Sequence, residues 1–303
     1  MVLLEQATIM ALLILLGFLC FKIKIIDDNS KKCLSAIALK VATPALIVMS
    51  FQKDFDPEKF HGLIYSLLLA IITYVVAFVI SYAMMRGKQK DKTLIERFSL
   101  IYTNCAFMGI PLVQGLYGDD GVFYLTGYLV FFYLLVWTHG VIMMNNTESI
   151  GKSTLKALKS PALIAIVVGV IFYLLQIKLP DMLSTTCNYV GSLTTPLGMF
   201  VAGATIAQTD LKKAVLKPRL YIVSAVRLLL IPLAVILVFK LLPYNELIMG
   251  VNLIAVSSPC AAIATMFAVT YNKDSCYAAE LFAITTLLSI ATMPLMIWLF
   301  GII

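Results

Sequence analysis

The chain has 303 residues, of which 61% are hydrophobic and 13% charged, and its net charge is +7. Soluble domains carry about 25% charged residues, so this composition excludes an ordinary water-soluble fold. The basic residues lie in short segments between apolar blocks, which is typical of cytoplasmic membrane loops and argues against nucleic-acid binding.

Apolar blocks follow one another along the chain, and each is about 20 residues long, the length that crosses a hydrocarbon core about 30 Å thick. They predict an all-α integral membrane protein with ten transmembrane helices. The predicted spans, numbered one to ten, are 4–25, 33–52, 60–85, 98–117, 120–144, 161–179, 182–207, 218–241, 246–270 and 275–301.

Lysine and arginine are distributed unevenly between alternate loops. One set of loops contains 17 of them and the other set contains 4. The basic set comprises 22–32, 86–97, 145–160, 208–219 and 271–275. Because basic loops stay in the cytoplasm, we predict a multi-pass protein of the cell membrane with both termini outside the cytoplasm.

The two halves of the sequence resemble each other at a nearly constant offset. VATPALIVMSF matches LTTPLGMFVAG, which places Pro44 opposite Pro196 at an offset of 152. The run ending LYGDD matches VTYNKD, which places Tyr117 opposite Tyr271 at an offset of 154. Such internal similarity indicates a structural repeat.

Spans one, three and five map onto spans six, eight and ten at this offset. Each repeat therefore has five spans, the first in residues 1–144 and the second in residues 145–303. An odd number of spans makes the second repeat enter the membrane from the opposite side. The sequence thus predicts two inverted five-helix repeats, which are typical of alternating-access transporters.

Spans four and nine contain residues that disfavour a continuous helix near their middles. Span four has Asn104, Gly109 and Pro111, and span nine has Ser257, Ser258 and Pro259. Proline removes a backbone donor and clashes with the preceding turn, and glycine costs about 1 kcal/mol inside a helix. In lipid, a broken helix is tolerated only where it is buried in protein or lines a wet cavity.

A single such proline is most simply an ordinary kink, but two breaks at equivalent positions of an inverted repeat indicate a midplane substrate site. The second halves would begin near 105–108 and 260–262, where free N–H groups favour an anion. We predict a substrate site formed by Thr103, Asn104, Cys105, Gly109, Pro111, Ser257, Ser258, Pro259, Cys260 and Arg227.

Few ionisable residues lie inside the predicted spans, where each costs about 2.5–3.5 kcal/mol to insert at a helix centre, and two of them are the main candidates for a role. Arg227 is about nine residues from the cytoplasmic end of span eight, and Glu280 is about six residues into span ten. Arg227 either attracts a substrate carboxylate or pairs with Glu280, and both hypotheses stay open. His139, near the cytoplasmic end of span five, is a candidate proton carrier, although a lone interfacial histidine is more often simply hydrated.

The runs TNCAFMGIPLVQGLYG (103–118) and SSPC followed by TYN, with the proline-bearing spans two and seven, resemble the auxin efflux carrier (PIN-like) family, which includes bacterial malate and malonate permeases. The resemblance implies the ten-helix fold of bile-acid symporters. Spans one, two, six and seven would form a scaffold that often dimerises, and the others a moving transport domain in which spans four and nine cross. The family's crossover asparagine falls on Asn104 and its second crossover proline on Pro259.

The chain departs from the plant members of that family at two points. Thr103 stands where plant carriers usually have proline, and the segment 145–160 has only 16 residues in place of a long cytoplasmic loop. Auxin therefore fits less well than a bacterial dicarboxylate or a similar acid.

Together these features predict a secondary active transporter of small organic anions with an elevator-type mechanism, acting as a homodimer in the bilayer. No cofactor or metal is expected, because the six cysteines lack metal-ligand spacing, and H⁺ and Na⁺ are the candidate coupling ions. The alternatives are a passive anion channel or a membrane sensor. An intramembrane enzyme has least support, since HExxH and DDxxD motifs are absent and His61 and His139 are the only histidines.

Overall fold

The computed structural model describes residues 2–85, 90–144, 159–210 and 214–302. These residues form helices and connecting turns, and no strand occurs among them beyond one isolated β-bridge. The helices are α1 (Val2–Lys22), α2 (Asp28–Ser50), α3 (Pro57–Met84), α4 (Lys90–Ile101), α5 (Cys105–Met144), α6 (Pro161–Leu175), α7 (Asp181–Gln208), α8 (Pro218–Phe239), α9 (Glu246–Ser257), α10 (Ile263–Thr270) and α11 (Ser275–Ile302). The predicted all-helical class is therefore confirmed.

Within the described residues, six helices are long and apolar enough to cross a membrane, namely α2, α3, α5, α7, α8 and α11. Helices α6 and α9 and residues 8–22 of α1 are apolar but shorter. Helix α5 extends over 40 residues and turns at Gly118, whose φ of 60° and ψ of −152° are open to glycine and strained for other residues. The architecture is that of a multi-pass membrane protein.

Basic loops meet at one end of the molecule, which we call the basic end. Lys31, at the start of α2, bonds Gln208 at the end of α7. Lys273, between α10 and α11, bonds Asp91 of α4 at 2.8 Å. The predicted loops 22–32, 86–97, 208–219 and 271–275 thus have described residues at this end, whereas residues 145–158 of the remaining basic loop lie outside the described residues.

The other loops meet at the opposite end. Asp120, just after the turn at Gly118, is paired with Lys53 and Lys59, which flank the start of α3. The Tyr65 hydroxyl donates to the Pro243 carbonyl before α9 at 2.5 Å. Helix α3 connects the two ends over 28 residues, or about 42 Å at 1.5 Å per residue.

The described helices contain four five-residue π turns, at 38–42, 105–109, 136–140 and 226–230, and the three other than 136–140 end two residues before a proline. The prolines are Pro44, Pro111 and Pro232. A proline ring clashes with the carbonyl four residues back in an α-helix, and the wider π turn relieves that clash. In each of these three turns, the N–H just after the turn bonds the carbonyl five residues back.

Helices α1 and α7 cross in direct backbone contact. A Cβ on Gly203 of α7 would lie 2.6 Å from the Phe18 nitrogen, and a Cβ on Gly17 of α1 would lie 2.6 Å from the Phe200 Cα. Small residues allow this approach, which membrane helices use because lipid provides no hydrophobic drive for their association. Helix α2 packs against α6 and the first half of α7.

Helix α3 packs against α5 and α9, and one hydrogen-bond chain joins the three. The Asn252 amide of α9 donates to the Ser66 hydroxyl of α3 at 2.8 Å, and Ser66 donates to the Tyr124 carbonyl of α5 at 2.7 Å. Helix α11 packs against α8, α9 and α10. Both interrupted spans are therefore enclosed by neighbouring helices.

Candidate functional site

Both predicted helix interruptions are present. Helix α4 ends at Ile101, residues 102–104 are non-helical, and α5 begins at Cys105. Helix α9 ends at Ser257, residues 258–262 are non-helical, and α10 begins at Ile263. We call the two non-helical segments together the crossover.

The two segments of the crossover are joined through their backbones. The Asn104 N–H donates to the Pro259 carbonyl at 2.8 Å, and the Ala261 N–H donates to the Tyr102 carbonyl at 3.0 Å. Thr103 lies opposite Cys260 in an antiparallel β-bridge. Each break thus satisfies backbone groups of the other, which is the condition for irregular backbone at membrane depth.

Arg227 lies in the π turn of α8 and is fully buried. Its Nη1 donates to the Leu100 carbonyl at 2.9 Å, in the last turn of α4. Its Nη2 donates to the Val256 carbonyl, in the last turn of α9, and to the Ser258 carbonyl at 3.1 Å. Its Nε also donates to the Ser258 carbonyl, at 3.3 Å. One guanidinium therefore caps the C-terminal ends of both helices that enter the crossover.

This placement has an electrostatic reason. The C-terminal end of a helix carries a partial negative charge of about −0.5, and two such ends meet at the crossover. A buried cation bonded to both compensates them, and the planar guanidinium presents donors in several directions at once. Arg227 therefore has a structural role in this conformation.

Of the two hypotheses for Arg227, the pair with Glu280 is wrong, because each of these residues has other partners. Glu280, buried in α11, accepts two hydrogen bonds of 2.6 and 2.7 Å from the Lys217 ammonium just before α8. These bonds raise the pKa of Lys217. The physical reason is depth, since Glu280 is near the basic end of α11 and reaches the loop lysine, whereas Arg227 lies further along α8 and meets helix-end carbonyls.

A second buried carboxylate lies at the basic end. Glu96 of α4 is 2% exposed and accepts hydrogen bonds from Arg219 at 2.6 and 2.8 Å and from the Tyr277 hydroxyl at 2.8 Å. It therefore ties α4 to α8 and α11. Glu96 lies in the predicted basic loop 86–97 and was not predicted to be a site residue; an acidic residue directly before the apolar run of span four was the available signal.

Several polar side chains at the crossover are buried without a hydrogen-bond partner in the described part of the chain. Asn104 Nδ2 is one of them, and the residue is only 4% exposed. The hydroxyls of Ser99, Thr103 and Ser257 are others. Buried polar atoms are normally paired, so this cluster has binding capacity that the protein itself does not use.

The remaining predicted residues lie at the crossover or in the first two turns of α5, and all of them are buried. Gly109 allows close packing, because a Cβ there would lie 3.3 Å from both the Cys105 Cβ and the Ser258 hydroxyl. Pro111 follows the π turn that starts α5. The Cys260 N–H donates to the Thr285 hydroxyl of α11 at 3.4 Å. The crossover is thus closed to solvent in this conformation.

One side of the crossover faces α2 and α7. Phe107, in the first turn of α5, packs against Ala38 of α2 and Val201 of α7, and its ring lies 3.0 Å from where a Cβ on Gly198 would be. Two further hydroxyls on these helices, those of Thr43 and Thr194, are buried without a partner among the described residues. Thr43 directly precedes Pro44, and Thr194 lies two residues before Pro196, the proline that the repeat places opposite Pro44.

Comparison with known proteins agrees with this architecture. A family model described as membrane transport protein matches residues 2–297. An uncharacterized transporter of Methanothermobacter thermautotrophicus is 26% identical over 298 residues, covering 96% of both chains. An uncharacterized transporter of Methanocaldococcus jannaschii is 26% identical over 312 residues, covering 99% of both chains.

Proposed function

This chain belongs to the membrane transport protein family, which is the auxin efflux carrier family that its motifs resemble. From that premise we propose that it is a secondary active transporter of small organic anions. It is a transporter and not an enzyme. The substrate site is the crossover, and the substrates are mono- or dicarboxylates.

The observation that carries this proposal is the cluster of unpaired polar atoms at the junction of two interrupted helices. The amide of Asn104 and the hydroxyls of Thr103 and Ser257 are buried and have no partner among the described residues. An amide N–H and hydroxyl O–H groups donate hydrogen bonds to carboxylate oxygens. Leaving them unpaired costs free energy, which a bound carboxylate would recover.

The electrostatics of the crossover favours an anion. Arg227 compensates the negative C-terminal ends of α4 and α9. The positive N-terminal ends of the following helices begin at Cys105 and Ile263, next to the unpaired polar atoms. Helix N-termini bind carboxylates through free N–H groups and the helix dipole, so an anion is the charge that this site accommodates.

Closure of the crossover favours an alternating-access mechanism. Asn104 is 4% exposed, and Thr103, Cys105 and Cys260 are fully buried, so substrate entry requires a conformational change. In our proposal, ten spans form two inverted repeats. Spans three to five and eight to ten move against a scaffold of spans one, two, six and seven, which also forms the homodimer interface in the cell membrane.

The proposal is tested by flux through proteoliposomes that contain the purified protein. We expect uptake of radiolabelled malonate or malate to saturate with concentration, and internal unlabelled acid to accelerate it by counterflow. Protein-free vesicles provide the control. Flux that is linear in concentration and shows no counterflow would identify a passive channel. Absence of flux for a panel of mono- and dicarboxylates would refute the substrate class.

A further inference from the structure

A chain of hydrogen bonds connects the basic end to the crossover. The Tyr82 hydroxyl, near the end of α3, lies 3.2 Å from His139 Nε2. His139 Nδ1 lies 2.8 Å from the Tyr102 hydroxyl. Tyr82 is 41% exposed, whereas Tyr102 is fully buried. The imidazole of His139 thus lies between a hydroxyl at the surface and a hydroxyl inside the protein.

The hydrogen-bond partners favour the tautomer of neutral His139 that carries its hydrogen on Nδ1. The Tyr102 hydroxyl donates to the Leu135 carbonyl at 3.0 Å, so its oxygen is left to accept a bond from His139 Nδ1–H. The Nε2 lone pair then accepts from Tyr82. This arrangement satisfies all three side chains and also pairs the Tyr102 hydroxyl with the Leu135 carbonyl.

The same hydrogen-bond partners, Tyr82 and Tyr102, accommodate a protonated His139 imidazole without movement of its ring. A proton that arrives from water binds the Nε2 lone pair, and the Tyr82 hydroxyl hydrogen rotates away so that its oxygen accepts from Nε2–H. The Nδ1–H bond to Tyr102 is retained and becomes charge-assisted. Release of the proton reverses these two changes.

Tyr102 connects His139 to the crossover through hydrogen bonds. Its side chain bonds His139, and its carbonyl accepts the Ala261 N–H that joins the two interrupted helices. Its N–H donates to the Phe98 carbonyl, so it also closes the last turn of α4. A cation near that turn is favoured by the helix dipole.

The surroundings of His139 contain few other charges among the described residues. The Phe78 ring of α3 contacts the imidazole edge-on with centroids 4.8 Å apart. The Arg97 guanidinium carbon of α4 lies 4.6 Å from the Tyr82 ring centroid, and its positive charge disfavours a second cation at His139. Helix α10 contains no ionisable residue, and its Phe267 ring contacts the Trp137 ring. The nearest titratable group after this helix is Tyr271, whose ring contacts Phe267.

We propose that His139 is the proton-binding residue that couples proton uptake at the basic end to the crossover through Tyr102. The inference rests on the proposed function and names H⁺ as the coupling ion. His139 is a positioning residue in this scheme, because it acts on the crossover through Tyr102 and does not itself lie there.

The proton site is tested first without any substrate. The chain has two histidines, so His61→Asn protein labelled with ¹⁵N-histidine gives imidazole signals from His139 alone. We expect the neutral Nδ1–H tautomer at high pH and conversion to imidazolium on acidification. An Nε2–H tautomer, or an imidazole that does not titrate between about pH 5 and 9, around the usual histidine pKa, would overturn the proposal.

Coupling to the crossover is tested by alkylation of the buried Cys105 and Cys260, quantified separately for each cysteine by mass spectrometry. At each pH, the rate in wild type is divided by the rate in His139→Gln, which cancels the ionisation of the thiol itself. We expect this ratio to change with pH for both cysteines and to stay constant for the exposed Cys33 and Cys276. A pH-independent ratio at Cys105 and Cys260 would overturn the coupling.

Malonate uptake then connects the site to transport. We expect wild type and the matched control His61→Asn to respond to a pH gradient, and His139→Gln and Tyr102→Phe to lose that response. Because the spectroscopic and alkylation tests need no substrate, a protein that passes them but takes up no organic acid refutes the transported class and leaves the proton site standing. Unchanged gradient dependence in His139→Gln would refute the coupling alone.

Discussion

Asn104 and Pro259 are joined by a backbone hydrogen bond of 2.8 Å, so the interruptions of two helices from opposite halves of the chain form one structure. Neither segment could stay irregular in lipid by itself, because its backbone groups would lack partners. The bond uses only the backbone of Asn104, and the Nδ2 atom of its side chain has no hydrogen-bond partner among the described residues.

Replacing Asn104 by alanine should impair transport and leave the fold intact. The Asn104 Nδ2 atom has no hydrogen-bond partner among the described residues, so its removal breaks no bond from that atom. A bound carboxylate, in contrast, would lose a donor, at a cost of about 1.5–3 kcal/mol for a bond to a charged group. Saturation kinetics of malonate uptake and thermal unfolding of the purified variant measure the two effects.

Asn252→Ala is the matched control for that variant. Its amide nitrogen donates to Ser66 at 2.8 Å and to the Ile248 carbonyl at 3.0 Å, so the same substitution breaks two buried bonds there. We expect it to lower the unfolding temperature more than Asn104→Ala does. The reverse order of stability would show that the unpaired state of Asn104 is not the native one.

Arg227→Leu should strongly destabilise the protein. It removes the donors to the carbonyls of Leu100, Val256 and Ser258, and each buried acceptor left unpaired costs about 1–3 kcal/mol. Arg227→Lys should be intermediate, because a single ammonium retains the charge but cannot span all three carbonyls. Differential scanning fluorimetry in detergent gives the order of stability, and equal stability of all three proteins would contradict the capping role.

Arg227 and Glu280 have separate hydrogen-bond partners, so substitutions of the two residues should affect stability independently. Because Glu280 bonds Lys217 and not Arg227, the effects of Arg227→Leu and Glu280→Leu should add within about 0.5 kcal/mol in the double variant. Rescue of one substitution by the other would show that the two charges pair directly.

Lys217 and Glu280, in contrast, should be coupled. A double-mutant cycle with Lys217→Met and Glu280→Gln should give an interaction energy of about 0.5–3 kcal/mol. The lower part of that range is favoured, because the Lys217 side chain is 46% exposed and solvent screens the pair. Unfolding temperatures of the two single variants and the double variant measure it, and strict additivity would argue against the pair.

Gly203→Ala should force α1 and α7 apart. The added Cβ would lie 2.6 Å from the Phe18 nitrogen, and such overpacking costs about 1–3 kcal/mol. Gly301→Ala is the control, since a Cβ there meets nothing within 4 Å and alanine favours a helix interior over glycine. We expect a lower unfolding temperature for the first variant only, and a wild-type value for Gly203→Ala would exclude close contact of these helices.

Reporter fusions test the orientation of the chain in the membrane. Loops 86–97 and 208–219 should report a cytoplasmic location, and both termini an external one, because the basic loops carry 17 lysines and arginines against 4 in the other set. A cytoplasmic C-terminus would refute the arrangement of ten spans.

The sequence by itself determined the features that depend on neighbours in the chain. The length of the apolar blocks predicted a membrane protein built of helices. The residues that disfavour helix in spans four and nine predicted one interruption in each span, which the structure has at 102–104 and 258–262, although Gly109 and Pro111 themselves lie within helix α5. These predictions succeeded because the preference of a backbone segment for helix, and its cost in lipid, are set locally by its own residues.

Only the tertiary structure decided which groups meet. Arg227 was recognised as a costly buried charge, but its partner Leu100 lies 127 positions away, and the carbonyl that accepts its bond exists in every residue. Glu280 and Lys217 are 63 positions apart and meet at a depth that only the stacking of α8 on α11 sets. A sequence specifies which charges need compensation, whereas the packing of helices in three dimensions selects the group that provides it.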